Sequence, residues 1–310
     1  MTQPTGISVL QADGEELEPF TRKYAQRINE TVAEHGAVLV RGARAAGSAD
    51  FEQALKQLGF EPLPYTERST PRSQVGDGVY TSTEYPAREE IPQHCESSYA
   101  GAWPGRLAFF SAIPALTGGA TPITDVTEVL DDIPADVLRT LERHGLQYIR
   151  NYGSGVGLDW REAFQTDSRA DVDRFCADSG MEREWLPDDR LRTIRRAPAL
   201  AEHPRTGRRL WFNHLVLFHQ SSLHPELRED LIAVLGEDGL PNDVLLGNGQ
   251  RINDELVAAV RSAFDRHRLR FDWELHDLMV IDNMRFSHGR EPFTGERRVL
   301  VSMTDLINRG

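Results

Sequence analysis

The sequence predicts an α+β fold with a mainly β core, a double-stranded β-helix (jelly roll) with flanking helices. Two observations lead there. Short runs rich in β-branched and aromatic residues gather around two distant segments, Gln93-His94-Cys95-Glu96 and Asp282-Asn283-Met284-Arg285-Phe286-Ser287-His288-Gly289-Arg290. Amphipathic helical patterns lie elsewhere and are expected to pack outside that core. No internal repeat, low-complexity tract or Ser/Gly linker interrupts the chain, so one domain over residues 1–310 is expected.

Residues 15–35 form the first predicted helix: Leu17, Phe20, Tyr24, Ile28 and Val32 recur at helical spacing and Gly36 ends the run. Residues 37–40 read as a buried strand. A second helix follows Ser48 as N-cap and carries Phe51, Leu55 and Leu58. Residues 65–92 are rich in Pro, Arg, Ser, Thr and Gly, which predicts a long loop closing over a site like a lid. Residues 106–112 are an apolar strand, Gly118-Gly119 opens a turn, and residues 133–144 form a short helix with Pro134 in its first turn. Residues 160–209 mix helix and strand signals. The arginines clustered between 190 and 209 are expected on a solvated strand face. A helix over 253–266 presents Leu256, Val257, Val260 and Phe264 on one side, and strands are expected at 269–273, 278–281 and 298–303.

Composition excludes several classes. The 310 residues are 39% hydrophobic, ample for a full core, and carry a net charge of −13. Such acidity argues against nucleic-acid binding, which needs a basic surface. No apolar run approaches a membrane span, and the first residues lack the pattern of a signal peptide. With only Cys95 and Cys176 present, a reducing cytoplasm is expected and a Cys-rich zinc site is excluded.

The two segments carry the chemistry. His94, Glu96 and His288 offer two imidazoles and one carboxylate, a set that binds one face of a ferrous ion and leaves the other open. If His94 and Glu96 share a strand, positions i and i+2 point to the same side and converge on one ion while Cys95 points away. A lone His-x-Glu is a weak signal. Zinc deaminases also begin so, but need a Pro-Cys-x-x-Cys partner that is missing here, and no His-Glu-x-x-His is present. His214, His219 and His224 suit no common helix or strand face and are expected as non-ligands.

Taken together, more segments agree. Ser97-Ser98-Tyr99 follows the first ligand pair, then Trp103-Pro104, Leu107-Ala108-Phe109-Phe110, Gly118-Gly119-Ala120-Thr121-Pro122, Trp211-Phe212-Asn213, and the run from Asp282 to Arg298. Their order and spacing resemble the TauD/TfdA family of Fe(II)/2-oxoglutarate-dependent dioxygenases, nearest to its SyrP-like and clavaminate-synthase-like members. The resemblance covers about residues 37–305. It implies His94, Glu96 and His288 as ligands of Fe(2+), and Thr121 and Arg298 as the hold on the distal carboxylate of 2-oxoglutarate, with O2 as the oxidant. A guanidinium fork suits a carboxylate, and a hydroxyl donates once more. On this assignment Arg297 points to the other face of its strand. The resemblance implies hydroxylation of an aliphatic C–H in a small-molecule substrate, an amino acid or its derivative, free or tethered to a carrier protein, in natural-product (antibiotic) biosynthesis. Desaturation and cyclisation begin from the same hydrogen abstraction and stay open; the intact Glu96 argues against halogenation.

For substrate contact the candidates are Arg72 and Arg290 as cations for a carboxylate, Glu84 as acceptor for an ammonium, and Ser98 beside the ligand pair. A structural salt bridge is an equal alternative for Arg290. Five matching positions for iron and co-substrate argue against a metal-binding scaffold without turnover, and a zinc hydrolase with the same triad would have no use for Thr121 plus Arg298. Oligomeric state is left open.

Overall fold

The computed structural model describes residues 6–64, 67–70, 72–82 and 85–309. Its centre is a seven-stranded sheet in the order Ser8–Gln11, Ala37–Arg41, Leu278–Asp282, Ala102–Ile113, Arg298–Asn308, Val79–Thr81, Gln74–Gly76. The first pair is parallel and the remaining pairs are antiparallel. Facing it is a smaller sheet, Ile91–His94, Phe286–Arg290 and Ile123–Asp125, continued by the pair Thr117–Gly118 and Phe293–Thr294. These two layers are the predicted roll.

Both faces of the large sheet are covered. Between the layers lie Leu107, Phe109, Met279, Ile281, Val299 and Val301, with Ile123 and Phe286 from the small sheet. On the other face, the alternate residues Ala108, Phe110, Leu278, Val280 and Leu300 meet Leu17, Phe20, Ile28, Phe51 and Leu55 from two helices. The side-chain period of two sends neighbours to opposite layers.

Those helices are Leu17–His35 and Ser48–Gln57, as expected, though Gly47 rather than Ser48 is the N-cap of the second. Gly36 stops the first with φ 82°, and a Cβ there would lie 2.6 Å from the Phe286 ring, so the site demands glycine. The later helices Ala135–His144 and Asp254–Arg266 also match; Pro134 is the N-cap of the one, and Asn253 caps the other by accepting from the Leu256 N–H. Among the described residues no helix is long and apolar enough to cross a membrane.

Three expectations need correction. Within the 65–92 segment, Gln74–Gly76 and Val79–Thr81 form a hairpin on the edge of the large sheet, so this is not a plain loop. Residues 269–273 contribute one bridge, Leu269 to Ile123, rather than a strand. The 190–209 arginines are not uniformly solvated: strand Arg190–Ala197 belongs to a separate four-stranded sheet with Glu182–Leu186, Leu146–Tyr152 and Asn242–Leu246, and Arg195 is buried in a pair with Glu67 at 3.1 Å. That pair, with the Tyr99 hydroxyl donating to the Glu67 carbonyl, anchors the start of the 67–92 segment.

Candidate active site

His94 ends strand Ile91–His94, and His288 lies directly across from it on strand Phe286–Arg290. Gly289 makes this pairing possible, because a Cβ there would sit 2.7 Å from the Ile91 carbonyl oxygen. The two imidazole rings are 4.4 Å apart between centroids. Glu96 completes the group. Its carboxylate is 4.0 Å from His288 Nε2, and the three donor atoms lie within 4.8 Å of one another, all buried.

Glu96 does not share the strand with His94. It sits in the turn just beyond, followed by Ser97 in the left-handed region at φ 56°. Its direction is set by Asn283, which is fully buried and whose carboxamide accepts from the Glu96 N–H at 2.8 Å and donates to the Glu96 carbonyl at 3.0 Å.

The donors suit a divalent cation. His94 is 2.8 Å through Nδ1 from the Pro92 carbonyl; an Nδ1–H donor there leaves Nε2 bare for a metal. Burial lowers the pKa of His94 and lowers that of His288 well below the usual imidazole value, so both rings are neutral, as ligands must be. His288 Nδ1 is buried with no hydrogen-bond partner among the described residues. Two neutral imidazoles and one carboxylate, buried together, are a facial set for iron.

Two cavities meet at this group. A narrow cleft is lined by His94, His288, Phe109, Thr121, Val299 and Arg297. Arg297 is mostly buried there. It donates through Nε to the Gly119 carbonyl at 2.8 Å and through Nη2 to Thr121 Oγ1 at 3.2 Å, and has no carboxylate partner among the described residues. Burial pushes its pKa down to about 10, the mark of a cation that lacks an anion. Trp273 Nε1 also donates to Thr121 Oγ1, at 2.9 Å. With both lone pairs of that hydroxyl engaged, its hydrogen is free to be donated to a group in the cleft that Thr121 lines. A carboxylate there would meet a guanidinium fork and an O–H donor.

The second cavity is wide, about 470 Å³, and reaches the triad at His94 and Glu96, with Arg72 beside them. Arg72 borders both cavities and donates from Nη2 to Glu96 Oε2 at 2.6 Å.

The expected site is thus partly assembled and partly revised. His94, Glu96, His288, Thr121 and Arg72 come together. Arg298 does not: its side chain is 56% exposed and pairs with Glu296 at 3.0 Å, outside the cleft. Arg297 takes that place because it shares the inward parity of Val299 and Val301. Ser98 is buried away from both cavities, its hydroxyl 2.7 Å from His214 Nδ1. Arg290 borders the narrow cleft, but its terminal nitrogens donate to the carbonyls of Tyr85, Pro86 and Glu89, so it holds backbone rather than facing the wide cavity. Glu84 lies outside the described residues. Among the described residues His214, His219 and His224 lie outside the donor group; His219 Nε2 lies 2.9 Å from the Ile252 carbonyl. Sequence reasoning assigned no role to Asn283 or Trp273, since neither residue type is a ligand by itself.

Comparison with known proteins agrees with this geometry. The family profile described as "Taurine catabolism dioxygenase TauD, TfdA family" matches residues 2–304. The chain is 40% identical over 280 residues to the dapdiamide synthesis protein DdaC of Enterobacter agglomerans, covering 90% of this chain and 85% of that one. It is 30% identical over 284 residues to a clavaminate synthase-like protein of Arabidopsis thaliana, covering 87% and 82%. Among solved structures, PvcB from Pseudomonas aeruginosa superposes with a TM-score of 0.56 at 16% identity, covering 97% of this chain and 86% of that one, a likeness of fold. The chain belongs to the TauD/TfdA family and is an Fe(II)- and 2-oxoglutarate-dependent dioxygenase.

Proposed function

We propose that this enzyme hydroxylates an aliphatic C–H of an amino acid or amino-acid-derived substrate, free or carrier-tethered, in natural-product biosynthesis. The observation that carries the proposal is the junction of the two cavities at one triad. In this assignment His94, Glu96 and His288 hold the iron. Thr121 and Arg297 hold the distal carboxylate of 2-oxoglutarate in the narrow cleft, where burial strengthens a charge-assisted pair. Bound iron supplies O2 activation coupled to oxidative decarboxylation of 2-oxoglutarate to succinate and CO2. The chain's own part is to position the substrate and exclude water. Arg72 is the cation for a substrate carboxylate at the inner end of the wide cavity. The 67–92 segment supplies Ser69, Thr70, Tyr85 and Glu90 to the same cavity wall, which supports the expected lid.

The biosynthetic setting rests on the naming of DdaC, 40% identical to this chain, for dapdiamide synthesis. Cys95 and Cys176 are both buried and free, which supports a cytoplasmic setting.

The test is a panel of amino acids and amino-acid conjugates, offered with Fe(II), 2-oxoglutarate and labelled O2. Succinate release with a product heavier by one labelled oxygen atom is expected. Succinate release with a product lacking two hydrogens would replace hydroxylation by desaturation or ring closure. Incorporation of chloride, or turnover confined to substrates with no amino-acid core, would overturn the proposal.

A further inference from the structure

Helix Pro225–Leu235 forms part of the wall of the wide cavity, yet none of its residues is buried. It is not a polar helix: Leu227, Leu231, Ile232, Val234 and Leu235 make up nearly half of it. A surface helix of this kind ordinarily sinks its apolar stripe into a core. Here Leu227 and Leu231, one turn apart and so on one face, border the cavity instead, and Leu227 is 47% exposed. Leu217 and Leu223 continue the same apolar wall. The inner end is different in kind, with Arg72, His94 and Glu96. At about 470 Å³ the cavity is within the range that encloses drug-sized ligands, well beyond the needs of a small free amino acid.

Resting on the function proposed above, we infer that the substrate is an elongated amphiphile: an amino acid carrying an apolar extension, with Leu227 and Leu231 as the residues that select for it. The carboxylate end lies at Arg72, next to the triad, and the extension runs outward under helix Pro225–Leu235. The continuity of the cavity with the triad makes the occupant of the apolar wall part of the substrate itself. Filling the cavity gives that helix face the apolar cover it lacks.

The probe is a series of N-acylglycines from acetyl to octanoyl, titrated calorimetrically into enzyme loaded anaerobically with Fe(II) and 2-oxoglutarate. The dissociation constant should fall about fourfold for each added methylene until the chain reaches the mouth. Leu231→Gln and, separately, Leu227→Gln should flatten that dependence while leaving the affinity for 2-oxoglutarate unchanged. Because neither leucine is buried, both variants are expected to fold, and their melting temperatures check this. A flat series in the wild type, no binding by any member, or an unaltered slope in both variants would overturn the inference. Loss of 2-oxoglutarate binding in the wild type would instead overturn the reading on which it rests, and the same preparation reports both.

Discussion

The carboxamide of Asn283 pairs with both backbone polar atoms of Glu96, accepting from its N–H at 2.8 Å and donating to its carbonyl at 3.0 Å, with a second donation to Pro104 at 2.7 Å. A side chain thereby stands in for one rung of a strand. It matters because Glu96 has left the strand that carries His94 and would otherwise have no ladder to fix its direction. Asn283 lies in the turn that leads into the strand of His288, so one short segment orients two of the three donors.

Asn283→Ala removes this rung and takes a partner from the Glu96 N–H and from the Glu96 and Pro104 carbonyls, at a cost of about 1–3 kcal/mol for each buried group left unsatisfied. Fe(II) affinity should drop by about 10- to 100-fold, as for other outer partners of metal ligands. Anaerobic Fe(II) titration measures it. Wild-type affinity in a folded variant would show that Glu96 is held by other means.

Arg297→Lys should raise the apparent KM for 2-oxoglutarate by about 10- to 100-fold, since an ammonium keeps the charge but not the fork. Arg298→Lys should leave it unchanged, because that side chain is exposed and paired with Glu296. Steady-state kinetics on the two variants decides between neighbours, and the reverse outcome would restore the assignment of Arg298.

Trp273→Phe keeps an aromatic ring but removes the N–H that fixes the Thr121 hydroxyl. The hydroxyl then becomes free to turn its hydrogen away from the cleft. An increase of roughly 3- to 10-fold in KM for 2-oxoglutarate is expected, with Fe(II) affinity unchanged. Equal losses in both quantities would mean a general disturbance of packing instead.

Asp243 is buried in strand Asn242–Leu246, and desolvation pushes its carboxyl up to about 6. A carboxyl raised above its ordinary value near 3.8 is ionised at a cost to the folded state. That cost is absent at low pH, grows as pH climbs from about 4 to about 6, and is constant above. Asp243→Asn should therefore raise the melting temperature at pH 8, by the equivalent of at most about 3 kcal/mol. The gain should shrink towards pH 4. Arg251 is not stranded by the change, as it also pairs with Glu237 and Asp238. A gain independent of pH would assign the effect to something other than the buried charge.

The choice between Arg297 and Arg298 shows where sequence ran out. Strand parity decides it, and parity is legible when apolar and polar residues alternate. Here both faces of the sheet are covered, so Val299-Leu300-Val301 is apolar throughout and the alternation is erased. The helices Leu17–His35, Ser48–Gln57 and Asp254–Arg266 were legible because each has one buried stripe, whereas Pro225–Leu235, with no buried residue, was not. The pairing of His94 with Glu96 was legible from residue type, but its physical basis differs: a turn through Ser97 does what a shared strand was expected to do. Ser98 was misplaced for the same reason, because that turn sends it to His214. The edge hairpin in the 67–92 segment escaped notice because strands of three residues are too short to show a period.

The apolar wall of the wide cavity is drawn largely from residues 156–158 and 217–231, two stretches encoded between Thr121 and the strand that carries His288. The donors and the co-substrate cleft are built by other parts of the chain. On the proposed assignment, most of the residues that would select the substrate and those that would hold the iron and co-substrate are written in separate passages of the gene. Drift in the first can retarget the enzyme while the second is inherited intact, so related proteins that share the triad need not share a substrate.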